Sequence, residues 1–152
     1  MKKLISFTAA IVAILVVMSG CSRAPEYVNN KTYNTVYVYI PSKGVPNQKF
    51  VMLLKQDVMF YFKRYKINAE LVESRDDTKM DQNTVFLEVD ITRMTSGKGV
   101  YIDFWANDDS GALLFRKDNV STSAWSYTKV SNKLASSVYK HSVHWVKFQH
   151  KR

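Results

Sequence analysis

A short apolar segment that ends at the only cysteine is the feature that most constrains this chain of 152 residues. Two lysines precede the apolar run 4–18, and a Ser-Gly pair stands directly before Cys21. A positive segment, an apolar segment and small residues at a cleavage point are the pattern of a secretory signal peptide. A membrane-spanning helix needs about 20 mainly apolar residues. We therefore predict that residues 1–20 are removed by cleavage between Gly20 and Cys21, rather than retained as a spanning helix.

The sequence VMSGC at residues 17–21 resembles the lipobox of bacterial lipoproteins. That resemblance implies that the Cys21 thiol is diacylated and that the new amino terminus is acylated as well. It also implies an outer-membrane location facing the periplasm, since Ser22 stands where an Asp acts as an inner-membrane retention signal. An ordinary cleaved signal followed by a chance cysteine is the alternative. Two lipid signals already give stable anchoring, because each buried methylene contributes about 0.8 kcal/mol.

The part of the chain that follows the signal is long enough for one domain with its own core. Residues 21–34 are polar and are expected to form a lipidated tether, and residues 35–152 a single periplasmic domain. The formal charge of the whole chain is +9, and two of these charges leave with the signal. A basic balance in an exported domain favours anionic envelope material as a partner, or it reflects scattered solubilising lysines. The export signal argues against nucleic acid.

Periodicity predicts the order strand, helix, strands, helix. The first strand is expected over 35–40 and the first helix over 48–65, followed by strands over 67–73, 84–94, 100–106 and 112–117. Residues 120–127 read as a further strand or as an irregular lead into a last helix over 129–148. Consecutive strands joined by short loops favour an antiparallel meander. The predicted fold class is α+β, with two helices packed on one face of the sheet, the face that carries Val85, Leu87, Val89, Ile102 and Phe104.

The opposite face of the predicted sheet collects aromatic side chains. A solvated sheet face is usually polar, whereas Tyr and Trp are enriched at binding hot spots. The alternative is purely structural, because cross-strand aromatic pairs stabilise sheets by roughly 0.2–1 kcal/mol each. The candidate binding face consists of Tyr37, Tyr39, Phe86, Tyr101 and Trp105.

Catalytic and metal-binding patterns are weak in this sequence. Glu88, Asp90 and Asp103 lie on neighbouring predicted strands, and paired carboxylates can support acid–base or glycosidic chemistry. His141 and His144 are three residues apart on the last helix, but no third ligand is evident and solvated histidines are the simpler interpretation. No nucleophile elbow, phosphate loop or dinucleotide motif occurs. We therefore expect no cofactor, no metal and no catalytic residue, and a protein that is not an enzyme.

The layout is similar to that of several envelope-assembly lipoproteins. Residues 84–92 (TVFLEVDIT), a Gly-containing turn and residues 101–104 (YIDF) resemble the central hairpin of three groups. These are the lipopolysaccharide-assembly lipoprotein, the periplasmic domain of the curli-secretion lipoprotein, and the lipoprotein activators of penicillin-binding proteins. The resemblance implies a non-enzymatic binding or assembly module for an envelope protein complex. The alternative function is binding of a lipid or glycan in a pocket between sheet and helices.

Overall fold

The computed structural model describes residues 31–151, which form seven strands and two helices. The expected α+β class and the order strand, helix, strands, helix are confirmed. Cys21 and the signal segment lie outside the described residues. In chain order the elements are β1 (Thr32–Tyr33), β2 (Thr35–Tyr39), α1 (Gln48–Arg64), β3 (Asn68–Val72), β4 (Thr84–Met94), β5 (Val100–Asn107), β6 (Leu113–Thr122), α2 (Tyr127–Trp145) and β7 (Lys147–Phe148).

Five strands form the main sheet in the order β3-β2-β4-β5-β6. Strands β4, β5 and β6 are antiparallel neighbours, as the meander prediction requires. Strand β2 instead pairs in parallel with both β3 and β4, and α1 supplies the crossover that a parallel pair needs. Strand β2 therefore lies inside the sheet rather than at its edge. The meander prediction did not include these parallel pairings.

Both helices cover one face of this sheet, and it is the face that the alternation predicted. Every second side chain of the central strands is removed from solvent because it points towards the helices. Burial of apolar surface on this scale is the main stabilising contribution to the fold. The fully buried residues of this layer include Val36, Val38, Val85, Val89, Ile102 and Phe104 from the sheet, and Phe50, Leu54, Val58, Phe62, Val130 and Val138 from the helices.

The two helices run side by side in the same direction. Near their first turns, the rings of Phe50 and Tyr127 have centroids 5.5 Å apart, and Tyr65, directly after α1, stacks at 4.5 Å on Tyr139 in the second half of α2. Asn47 caps α1, since its Oδ1 accepts a hydrogen bond of 3.0 Å from the backbone N–H of Phe50. Both carboxyl-terminal ends of the helices therefore lie at one end of the domain.

The end of α2 and the start of the domain differ from the prediction. The last helix was expected to reach Phe148, but it ends at Trp145 because Val146 is extended (φ −123°, ψ 124°). Strand β7 follows and pairs in parallel with β1. Tyr33 of β1 is 1% exposed and belongs to the core. The predicted tether over residues 21–34 is therefore too long, because Thr32 and Tyr33 are already part of the folded domain.

Candidate functional site

The five candidate aromatic residues do share one face of the main sheet, which we call the outer sheet face. Tyr37 of β2 stands beside Phe86 of β4, and Trp105 of β5 stands opposite Glu88. Tyr37, Tyr39, Tyr101 and Trp105 are all half-buried. Alternation predicted only that these residues share a side of the sheet. The strand register shows which of them are neighbours on adjacent strands. Further members of this face are Glu88, Asp90, Asp103 and Arg116.

Phe86 lies on this face but is not accessible. Its side chain is only 2% exposed. The Arg75 guanidinium lies 5.4 Å from the centroid of the Phe86 ring, and the Tyr39 ring packs against it at 6.0 Å. The polar segment after β3 therefore returns over this part of the sheet. The aromatic surface that a partner can reach consists of Tyr37, Tyr39, Tyr101 and Trp105, without Phe86.

Two arginines stack on the accessible aromatic rings. The Arg93 guanidinium lies 3.8 Å from the centroid of the Tyr101 ring, and that of Arg116 lies 5.0 Å from the Trp105 ring. Arg116 Nε also donates a hydrogen bond of 2.7 Å to the Asp118 carboxylate. Such cation–π pairs contribute about 0.5–1 kcal/mol at exposed sites and hold the flexible arginine side chains in place. The result is a preordered surface of Tyr, Trp and Arg.

The three carboxylates named in the sequence are brought together on the outer sheet face. Asp90 pairs directly with Asp103 across β4 and β5, and Asp103 Oδ1 accepts a hydrogen bond of 2.7 Å from the backbone N–H of Asn119. Burial raises the pKa of Glu88, the neighbouring Asp90 raises it further, and Arg75 opposes both effects. Neither described pocket is lined by any of the three carboxylates. The three carboxylates therefore form a row on a sheet face. Neither of the two described pockets provides a substrate cleft beside them.

Replacing Glu88 with Gln tests this electrostatic arrangement. Because the folded protein raises the pKa of Glu88 above its unfolded value of about 4.5, the protonated carboxyl favours folding below that pH, and this contribution is lost as the pH rises through the raised pKa. We expect Glu88→Gln to stabilise the domain by up to about 0.5 kcal/mol at pH 7 and to give no gain at pH 3.5. Urea unfolding at both pH values measures this. Asp77→Asn, on an exposed loop, is the control and should give no gain; equal gains for both variants would contradict the assignment.

The histidines do not converge on a metal site. The Nδ1–H of His141 donates a 2.9 Å hydrogen bond to the Ser137 carbonyl within α2, and its ring packs against Phe104 at 5.7 Å. His150 Nδ1 is instead 2.9 Å from the Tyr65 carbonyl oxygen. Over residues 31–151 there is no group of three His, Cys, Asp or Glu residues that could hold a metal ion. These histidines serve helix and packing contacts.

The alternative function, binding of a lipid or glycan, requires a pocket between sheet and helices, and neither of the two described pockets lies there. Phe50, Leu54 and Phe104, which lie between the sheet and the helices, are all fully buried in the core. One surface pocket lies instead between α1 and the edge strand β3, and the other lies beside the carboxyl-terminal segment 149–151. Both described pockets are therefore on the surface, and neither supports the lipid- or glycan-binding alternative.

Comparisons with known proteins give a fold but no family. No protein-family model matches the chain, and no curated protein matches its sequence. Among solved structures, the chain is similar to the PelC dodecamer from Paraburkholderia phytofirmans, with 12% sequence identity and a TM-score of 0.52 over 77% of this chain and 90% of that one. A variant PelC dodecamer from the same organism gives 12% identity and a TM-score of 0.49 over 70% and 86% of the two chains. The first likeness shows that the two proteins share a fold. Within residues 31–151, neither helix is long and apolar enough to cross a membrane.

Proposed function

We propose that this chain is a lipoprotein of the bacterial envelope, anchored through Cys21 to the outer membrane and facing the periplasm. Its folded domain acts without catalysis, as a binding or assembly module for an envelope protein complex. The lipobox resemblance of residues 17–21 supports the anchor. The fold shared with PelC, which forms a dodecamer, supports an assembly role, because that fold is compatible with a multi-subunit complex.

The observation that carries the binding role is the pair of cation–π stacks on the outer sheet face. Trp, Tyr and Arg are the residue types that dominate interface hot spots, and here Trp105 and Tyr101 each carry an arginine. A rigid aromatic ring loses little conformational entropy on binding, and an arginine that is already held by stacking loses less than a free one. The carboxylates beside them allow salt bridges to a basic partner at the rim. The outer sheet face is therefore the surface to which the protein partner binds.

Site-specific photo-crosslinking in intact cells tests this assignment. A benzoylphenylalanine placed at Tyr101 should capture an envelope protein that mass spectrometry identifies, whereas the same group at Phe60, on the opposite side of the domain, should not capture that protein. With the purified partner, Trp105→Ala should weaken the affinity by about 30-fold, as expected for a hot-spot residue. Met52→Ala, an exposed apolar residue of α1 (62% exposed), is the matched control and should leave the affinity unchanged. Equal losses for both variants, or capture only from Phe60, would reject the outer sheet face as the binding surface.

A further inference from the structure

Charge is separated between the two layers of this domain. The helix layer and its flanks, residues 43–67 and 127–151, contain eleven Lys and Arg residues and a single carboxylate, Asp57. The sheet layer, residues 68–118, contains eleven carboxylates and six Lys and Arg residues. Charge dispersed merely for solubility would be mixed on both sides. The domain therefore has a basic side and an acidic side, and the basic side is not the outer sheet face.

The exposed side of the two helices, which we call the helix face, carries no carboxylate at all. Asp57 is half-buried, and its Oδ2 accepts a hydrogen bond of 2.5 Å from the Ser131 hydroxyl between the helices. Lysines near the carboxyl-terminal ends complement the helix dipoles, but the basic residues extend along both helices to their first turns. The exposed basic side chains of the helix face are Lys49, Lys63, Arg64, Lys129, Lys133 and Lys140.

The same basic surface exposes large apolar side chains, among them Met52, Phe60 and Trp125. Trp125, next to the amino-terminal cap of α2, is 73% exposed, and the Lys129 ammonium lies 4.7 Å from the centroid of its ring. Phe60, near the end of α1, is 52% exposed and has Arg64 at 5.9 Å. Because the helices run in parallel, Trp125 and Phe60 lie at opposite ends of the helix face. A basic plane with separated aromatic anchors is the composition of a surface that rests on a lipid interface.

The first described residues of the chain, at 31–33, also lie next to the helix layer. Strand β1 is hydrogen-bonded to β7, which directly follows α2, so the chain enters the domain at the carboxyl-terminal end of the helices. Cys21 is ten positions before residue 31, where the described part begins, and a chain of ten residues spans at most about 35 Å. A lipid attached at Cys21 would therefore keep this end of the domain near the bilayer. This step rests on the proposed lipidation of Cys21. The positive charge of the helix face and its exposed aromatic side chains do not depend on it.

We infer that the helix face docks flat on an anionic phospholipid bilayer. Its lysines and arginines lie at the level of the phosphate groups, and Trp125 and Phe60 insert at the boundary between head groups and acyl chains. Charge complementarity selects this occupant, because the helix face offers cations and apolar anchors but no acceptor carboxylate for a basic partner. The outer sheet face then points away from the membrane, towards its protein partner.

Vesicle binding of the unacylated chain tests this inference without the anchor. Every core residue lies between Tyr33 and Phe148, so residues 22–152 retain the complete core. We expect this protein to sediment with vesicles that contain phosphatidylglycerol and phosphatidylcholine, not with pure phosphatidylcholine, and to be released by salt. Lys63→Gln/Lys140→Gln should weaken binding by about 30-fold, because each charge near an anionic surface contributes about 1 kcal/mol. A single-charge comparison supplies the control: Lys63→Gln alone should weaken binding by about fivefold, whereas Lys79→Gln, in the loop between β3 and β4, should change it by less than about twofold.

The apolar anchors give a second readout. Brominated acyl chains should quench the fluorescence of the bound protein, and Trp125→Phe should remove most of this quenching, whereas circular dichroism should show an unchanged fold. Equal losses for Lys63→Gln and Lys79→Gln would mean that only net charge matters, and would overturn the docking face. Absence of vesicle binding, or capture of an acidic protein at Phe60, would also overturn it. None of these three results decides on the lipid anchor or the outer sheet face, which are judged by their own experiments.

Discussion

Replacing Phe62 with Ala should destabilise the domain more than any substitution on its surface. Phe62 is fully buried, and its ring packs edge to face against Tyr139 of α2 at 5.7 Å and Phe148 of β7 at 6.1 Å. The substitution removes a contact between three elements and leaves a cavity, which typically costs about 3–5 kcal/mol for Phe→Ala. That is a large part of the 5–15 kcal/mol typical of a domain. Urea unfolding of residues 22–152 measures it.

Phe60→Ala is the matched control for this prediction. It removes the same side chain two residues away on the same helix, but Phe60 is 52% exposed. Exposed positions usually change the free energy of unfolding by no more than about 0.5 kcal/mol. A similar loss of stability for both variants would show that α1 does not bury the side that carries Phe62 in the structure. A small loss at Phe62 would show that the contact with β7 adds little.

The sequence allowed a correct prediction of which strand residues face the helices. Val85, Leu87 and Val89 follow strict alternation, and all three are buried as expected. Alternation depends only on the pleat of a single strand, so it can be read without knowing the neighbouring strands. The same reasoning placed Trp105 and Tyr101 on the opposite side, where the structure has them.

The order of the strands could not be obtained in this way. Alternation tells which side a residue takes, but it does not tell which strand lies next to it. Strand β2 lies between β3 and β4 because α1 carries the chain across the sheet in a parallel connection. In retrospect, the order strand, helix, strand at residues 35–72 is the pattern of such a unit. The short strands β1 and β7 were missed because two residues carry no periodicity.

Alternation also could not predict which residues of the outer sheet face are accessible to solvent. An irregularity between Ile91 and Arg93 shifts the register of β4, so Arg93 joins Tyr101 on the outer side, although its parity matches the buried Ile91. Bulges have no reliable signature in a single sequence. Phe86 was placed on the candidate binding face, but Arg75 from the segment after β3 covers it. Contacts from a polar loop depend on tertiary packing, which local pattern does not report.

Replacing Cys21 with Ser should release the protein from the membrane. The substitution removes the thiol that the proposed lipidation requires, and with it the acyl chains, each of whose buried methylenes contributes about 0.8 kcal/mol. In cells that express Cys21→Ser behind a signal peptide that is cleaved without lipidation, we expect palmitate labelling to disappear and the mature protein to leave the membrane fraction. Ser22→Ala, one residue further, is the control and should retain labelling and the membrane location.

Salt separates the anchor from the helix face in the same experiment. At low ionic strength, part of the Cys21→Ser protein should remain on membranes through Lys63, Lys140 and their neighbours. At about 1 M salt the screening length falls to about 3 Å, so this part should be released, whereas the lipidated protein should stay bound. A Cys21→Ser protein that remains membrane-bound after the salt wash would reject the anchor. Complete release at both salt concentrations would instead argue against the docking face, because the anchor alone would then account for all membrane binding.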